Sequence, residues 1–530
     1  MAWRLNELRL DLEQQESELR AVAARLLGVT EEQILNPRVV RRAVDARQKP
    51  RVRRVFSLEF DLAAGVVESL SGDASRRLEK VAPVEVPPLR RLDQAPPVVV
   101  VGMGPAGLFA AWNLARSGVA VTLIERGKPV EERVRDVRRF WQDGVLDAES
   151  NVQFGEGGAG TFSDGKLTTR LNHPWIRLVL QALVECGAPE DILVQAKPHV
   201  GTDRLRLVLI NLRRQLENLG VRLRFQTRLV GLVRQGQKVA GALLADGSRL
   251  DCEALVLAPG HSARDTYRML AAADVALEAK DFALGVRVEH PAELINSIQY
   301  GLPRHPQLPA AEYSLAWNDP QSGRGVYSFC MCPGGEVINS ASEARRLVVN
   351  GMSSLRRSGS LSNSALVVSV RRQDFPADHV LGGLVLQEQL ESAAFVAGGG
   401  DYCAPAQNLL SFLGHGRGSL RSSCRPGVRE ADLAALLPEF VTSGLRRALP
   451  HFERRMRGFI TAEATLVGVE TRTSAPLRIL RGEDGQSLSH PGLFPCGEGA
   501  GYAGGIMSAA LDGLRVAEAI MTKMINRSAQ

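Results

Sequence analysis

VVVVGMGPAGLFAAWNLARSGVAVTLIE, residues 98–125, reads as an apolar strand, a GxGxxG turn, a helix, a second apolar strand and a terminal acid. This is the order of a dinucleotide-binding βαβ unit. Gly102 allows the tight turn, Gly104 lets main chain approach a pyrophosphate, and Gly107 lets the helix lie close to the sheet. The helix opening at Pro105 and Ala106 aims its free N–H groups and the positive end of its dipole at the phosphates. Glu125, at the end of the second strand, is placed to accept from a ribose hydroxyl pair.

Two further loops extend this reading. Gly497-Glu498-Gly499 follows the apolar run Leu493–Cys496, and Gly504-Gly505 opens a final helix at Ile506. Ala258-Pro259-Gly260 ends another apolar run, Ala254–Leu257. An acid at a strand end can hold ribityl hydroxyls, and glycines before a helix can approach phosphate and flavin. Three such loops suit one long cofactor, FAD, better than NAD, which needs no second loop at the carboxyl end of the sheet. There is one dinucleotide fingerprint only, so NAD(P)H enters, if at all, as a transient co-substrate.

The chain has 530 residues, 45% hydrophobic and 23% charged, enough for about three domains. Residues 1–94 read as a small α/β unit of ferredoxin-like type, with a strand at Leu8–Leu10, a helix over Glu18–Leu27 and an extended run Arg53–Leu62. A proline-rich linker, Ala82–Pro97, follows. Residues 95–262 form the first part of a Rossmann-like α/β FAD-binding domain. In it, Lys128–Asp143, Pro174–Cys186 and Arg204–Leu219 are helical, and Val221–Val233 is a strand leading to a hairpin. Residues 263–455 form an inserted mixed α+β substrate domain, and residues 456–530 complete the discontinuous FAD-binding domain.

No apolar run reaches the length of a membrane span, and acids near the start, MAWRLNELRLDLEQQ, speak against a secretion signal. The cytoplasm is the expected location. Seven scattered cysteines do not form a disulfide framework. The net charge of +7 is modest for this length. Only eight of the 65 basic residues are lysine, and the densest basic run, Arg38–Arg54, reads as a solvated face before it reads as a nucleic-acid contact. No metal site is expected, because no second ligand pair accompanies Cys330 and Cys332.

These loops resemble those of FAD-dependent oxidoreductases of glutathione-reductase-like topology. More narrowly, NVQFGEGGAGTFSDGKLTTR, KPHVGTDRL, GVRVEH, FCMCPGG, NGMS and GLFPCGEGAGYAGGIMSAALDG resemble an uncharacterised FAD-dependent dehydrogenase family, also labelled NAD(FAD)-utilising dehydrogenases, from about Arg41 to the C-terminus. The resemblance implies FAD contacts at Gly102, Gly104, Gly107, Glu125, Arg126, Gly157, Gly158, Lys166, Gly260, Gly497, Glu498, Gly505 and Ile506. It implies no substrate.

Candidate catalytic residues follow. Lys166, in a glycine loop expected to cross the flavin, would place a cation near N1 and the C2 carbonyl and stabilise the reduced ring; a surface lysine is the alternative. Cys330 and Cys332 could exchange disulfides or relay electrons to the flavin, against a packing role. Arg287 and His290 could face a substrate carboxylate and a proton in transit, and Asn350, Met352 and Ser353 could line the same pocket. The expected function is an FAD-dependent oxidoreductase passing a hydride through flavin N5 to or from a small organic substrate. The alternatives are a flavin-dependent RNA-modifying or RNA-binding protein using the basic N-terminal unit, and a non-catalytic flavoprotein that recruits a partner.

Overall fold

A computed structural model describes residues 2–70, 72–82, 90–92 and 95–528. Most of the expected linker Ala82–Pro97 lies outside them. A parallel sheet organises the centre of the molecule, with strand order Leu493–Pro495, Ala254–Leu257, Val98–Val101, Val121–Ile124 and Arg222–Arg224. Four of its strands are apolar almost throughout because both faces are covered, whereas the edge strand Arg222–Arg224 alternates. Val98 and Val100 point into a core shared with the helices Pro105–Arg116, Trp175–Glu185, Thr202–Asn218 and Ile506–Ser528. Val99 and Val101 point the other way, into a core closed by the three-stranded sheet of Leu229–Gln235, Lys238–Leu244 and Arg249–Asp251 and by the helix Arg264–Ala272.

The C-terminal strand Leu493–Pro495 pairs with Ala254–Leu257, so residues from the two ends of a long insertion build one sheet. The expected single strand Val221–Val233 is broken in two. Arg222–Arg224 joins the parallel sheet, the chain turns through Gln226 at φ +51°, and Leu229–Gln235 starts the antiparallel layer.

The insertion leaves and re-enters through an antiparallel ribbon, Leu277–Ala279 against Leu477–Ile479. Beyond it lies a seven-stranded sheet, ordered Ala316–Asn318, Gly325–Cys332, Leu361–Val370, Phe282–Pro291, Thr465–Glu470, Ala404–Asn408 and Val428–Glu430. The helices Gly382–Ala397 and Glu439–Arg455 contribute to its core. Thr465–Glu470 hydrogen-bonds between two strands of this sheet and belongs to it, beyond the expected boundary at Arg455.

The N-terminal unit is an antiparallel sheet ordered Ile34–Asp45, Arg53–Leu62, Ala2–Leu10 and Leu78–Lys80, with the helix Leu19–Leu27 packed against it. The strand Ile34–Asp45 is absent from the sequence reading. It is an edge strand carrying Pro37 and three arginines, so its apolar alternation is diluted. Arginines of the basic run are paired with acids: Arg38 with Glu59 at 2.6 Å, Arg42 with Asp191 at 2.6 Å and Glu16 at 2.9 Å, Arg47 with Asp45 at 2.6 Å, and Arg53 with Asp11 at 3.1 Å. The same strand docks the unit onto the centre: Arg42 donates its backbone N–H to Val194 O at 2.7 Å and accepts from Ala196 at 2.8 Å. Among the described residues no helix is long and apolar enough to cross a membrane.

Candidate functional site

A cleft of about 400 Å³ opens at the carboxyl edge of the parallel sheet and runs to the inserted sheet. The three predicted loops meet there. A Cβ on Gly102 (φ +98°) would strike the Ala258 carbonyl, and one on Gly107 would strike the carbonyl of Gly102, so both positions hold the first loop against the sheet. Gly104 differs: a Cβ there would meet nothing within 4 Å, and the same holds for Gly260, Gly504 and Gly505, all of which line the cleft. Four glycines therefore leave space that their own side chains would fill. Gly104 caps the helix Pro105–Arg116 without a side-chain bond, and Gly505 precedes the helix beginning at Ile506. Two helix N-termini thus open on one cavity, a ready anion site.

Side chains tie the loops together. Glu125 lines the cleft, yet its carboxylate already accepts three backbone N–H bonds, from Met103 at 2.9 Å, Gly127 at 3.0 Å and Gly155 at 2.9 Å. It binds loop to loop and keeps about one of its roughly four acceptor positions for a sugar. Glu498 is the opposite case. It lines the cleft, its carboxylate has no hydrogen-bond partner among the described residues, and burial pushes its pKa up to about 7. Ribityl hydroxyls would satisfy it. These open glycines, the two helix ends and the uncommitted carboxylate fit FAD.

Of the other predicted contacts, Pro105, Ala106, Arg126, Gly158, Lys166 and Ile506 line the cleft, whereas Gly107, Gly157 and Gly497 sit behind it. Gly157 donates to Met103 O at 2.8 Å, and Gly497 donates to Asp512 at 2.7 Å. Arg126 lies 4.0 Å over the Phe154 ring and pairs with Glu149 at 2.8 Å and Asp265 at 2.9 Å.

Several supports escaped the sequence reading. Arg133 is fully buried and donates to the carbonyls of Asn151 and Val152 at 2.8 Å and Glu156 at 2.6 Å, so one guanidinium shapes the glycine-rich loop. Burial lowers its pKa to about 9. Tyr267 donates to Gly499 O at 2.8 Å, close also to Gly260 O at 3.2 Å, joining the second and third loops. Arg472 lines the cleft and shares the buried Glu391 carboxylate with Arg264, each at 2.7 Å. His261, also lining it, is pushed down to about 4 by burial and by Arg472 and Arg264, so it is neutral near pH 7. These residues carry no motif. Only the fold brings them to the cleft.

At the inserted-sheet end the cleft is lined by Asp164, Lys166, Phe329, Cys330, Asn350 and Glu470. Lys166 donates to Asp164 at 2.6 Å and to the Met331 carbonyl. Burial opposes its charge, but Asp164 holds its pKa above the ordinary lysine value. Asp164, itself buried, is held down to about 2 by Lys166 and by Arg357, which approaches it at 2.9 Å through Nε.

Arg287 does not face the cleft. It is fully buried and pairs with Glu470 at 2.7 Å, bonds Asn363 at 2.9 Å and Asn350 at 3.2 Å, and holds the Cys330 carbonyl at 2.6 Å. His290 lies away from the cleft: its Nε2 meets Phe459 O at 2.7 Å and its ring packs on Phe459 at 4.5 Å. The two expected partners are three residues apart on a strand and so face opposite sides. Of the NGMS stretch, Asn350 reaches the cleft, while Met352 and Ser353 do not.

Cys330 sits in a bulge, where pairing of Gly325–Cys332 with Leu361–Val370 shifts register between Phe329 and Cys332, and it has φ +42°. The bulge turns this residue into the cleft wall. Cys332 stays behind, fully buried, its thiol donating to Cys330 O at 3.4 Å. Hydrogen bonding by the Cys332 side chain, with Arg287 and Lys166 nearby, lowers the Cys330 pKa; Cys332, also free, is raised.

Comparison with known proteins places this geometry among flavoproteins. Residues 95–137 match the family described as FAD binding domain, residues 281–473 the family described as FAD-dependent protein, C-terminal domain-like, and residues 3–61 a domain of unknown function. The whole chain is 43% identical over 529 residues to an uncharacterized protein of Clostridium beijerinckii, covering 99% of each, and belongs to the same family. Among solved structures it is similar to a triple mutant of flavin-dependent brominase Bmp2 (14% identity, 81% of each chain, TM-score 0.37). It is also similar to tetracycline destructase Tet(51) (12% identity, 81% of this chain and 82% of that one, TM-score 0.34).

Proposed function

We propose that the protein is an FAD-dependent oxidoreductase of dehydrogenase type, acting on a small organic substrate presented by the inserted sheet. The observation that carries this is the convergence of two helix N-termini, four open glycine positions and the uncommitted Glu498 carboxylate on one cleft that ends at Lys166, Cys330 and Glu470. When bound, FAD supplies a two-electron centre that exchanges hydride at N5.

The chain's own residues position, polarise and hold protons. Gly104, Gly504 and Gly505 would leave the pyrophosphate room at main-chain donors, and Glu498 would accept from the ribityl hydroxyls. Lys166, fixed by Asp164 and the Met331 carbonyl, holds a cation at the inserted-sheet end of the cleft, where it would favour a reduced, negatively charged flavin. Glu470, raised to about 7 by burial despite Arg287, can take or release a proton near neutrality. Arg287 is a positioning residue, holding Glu470, Asn350 and the Cys330 carbonyl together. NAD(P)H serves as transient electron donor, without a nucleotide domain of its own.

Anaerobic stopped-flow mixing of the FAD-loaded protein with NADH and NADPH tests the reading. Bleaching of the visible flavin bands by either coenzyme or by an organic substrate is expected. A colourless protein that takes up no added FAD would overturn it. Four of the seven arginines in the Arg38–Arg54 run pair with acids, which argues for a structural, docking role of that face over an RNA grip.

A further inference from the structure

A second cavity, of about 530 Å³, adjoins the first and shares Phe329, Thr473 and Gly504 with it. Its wall is the exposed side of the inserted sheet. Tyr327 and Phe329, two apart on one strand, lie over the small buried side chains Ala283, Ala365 and Val367 and leave their rings half-exposed to the cavity. Lys280 enters from the neck ribbon. Its backbone is anchored by donating to Pro476 O at 2.9 Å, but its half-buried ammonium makes no ion pair or hydrogen bond among the described residues. Arg371, also in the lining, donates its backbone N–H to Asp374 at 2.7 Å, while its guanidinium donates to the Gly323 carbonyl at 2.7 Å and makes no ion pair among the described residues. The one acid in the lining, Asp281, is exposed and accepts the Arg372 N–H at 3.0 Å.

Desolvating a cation without a counter-charge is unfavourable, and a cavity that does so beside two aromatic rings is matched by a ligand with an anion on an apolar, flat body. Glu498, across the junction, partly offsets the burial of Lys280, but under the reading above it is committed to the cofactor's hydroxyls. We propose that this cavity is the substrate vestibule of the flavin site and takes a planar organic carboxylate, its anion on Lys280 with Arg371 toward the mouth and its body against Tyr327 and Phe329. A single carboxylate matches the lining's charge, two cations against one acid. The location of the reacting end rests on the FAD reading; the recognition of the anion does not.

The test uses the full-length, FAD-loaded protein, with benzoate, cinnamate and neutral benzamide as probes. Binding is read from the ligand-induced change in the visible flavin spectrum and independently by calorimetry. Saturable binding of at least one carboxylate, with benzamide about tenfold weaker or more, is expected, since a charge-assisted contact is worth about that factor. Lys280→Gln should weaken the carboxylates about tenfold and leave benzamide unchanged, and Lys280→Arg should restore most of the loss. The FAD content of each variant, read from its spectrum, separates a damaged cofactor site from a lost anion contact. Equal affinity for benzoate and benzamide, wild-type affinity in Lys280→Gln, or no saturable binding by either carboxylate would each overturn the proposal. Should the protein fail to retain FAD, the flavin reading falls, while calorimetry still decides the anion site.

Discussion

The two ends of the cleft are built from different materials. At the nucleotide end the wall is main chain: glycines whose missing side chains leave room, and helix ends whose N–H groups face the space. At the inserted-sheet end it is side chains held by buried charge, with Arg287 on Glu470, Lys166 on Asp164, and Arg264 and Arg472 on Glu391. In the first kind of wall an added Cβ at these glycines takes up space in the cleft without striking the protein. The second tolerates shape change but not the loss of a counter-charge.

Substitutions can break or sharpen this contrast. The largest effect is expected for Gly107→Val, whose side chain would run into the Gly102 carbonyl; loss of more than about 4 kcal/mol, seen as failure to fold or a collapsed Tm, is the expected result. Next is Arg287→Met, which leaves Glu470 buried without its partner and should cost about 3 kcal/mol. Its cost should grow with pH, because the unpaired carboxyl is tolerated protonated and penalised once ionised; a pH-independent loss in thermal unfolding would break the argument. At Gly104 an added Cβ meets nothing within 4 Å, so Gly104→Val should lower the apo-protein Tm far less than Gly107→Val does, while FAD affinity, by fluorescence titration, falls about 100-fold. If Gly104→Val and Gly107→Val behaved alike, the distinction between packing glycines and cradle glycines would be gone.

Smaller effects concern charge. Glu498 titrates near pH 7 in the ligand-free cleft, and sugar hydroxyls donate better to its ionised form. FAD affinity should therefore rise about tenfold between pH 6 and pH 8 and level off above, and Glu498→Gln should flatten the profile at the lower value. The smallest shift belongs to Lys166→Met, which should lower the flavin midpoint potential by roughly 30 mV, equivalent to about 1.4 kcal/mol for a two-electron couple. An unchanged potential in a spectroelectrochemical titration would remove Lys166 from the reacting end.

The same contrast explains what could be read in advance. The βαβ run 98–125, the loop at 258–260 and the glycines at 497–505 are legible because a main-chain site imposes its demands on consecutive residues, and glycine is the residue that meets them. The strand Ile34–Asp45 was lost because an arginine-rich edge strand carries little apolar alternation. Arg287 and His290 are expected to face one substrate, although a separation of three puts them on opposite faces of the strand. Glu125 reads in the sequence as a ribose ligand, and its loop-binding role is invisible there. Three amides from loops as distant as Gly155 claim it first.

Residue order alone determined that this chain makes a nucleotide cleft, since close approach of a backbone to phosphate is a local property of spacing and of absent side chains. Tertiary structure alone decided what faces the other end. A buried charge acts through partners more than a hundred residues away, as Arg287 does on Glu470 and Arg472 does on Ser342, and no local pattern records such a distance.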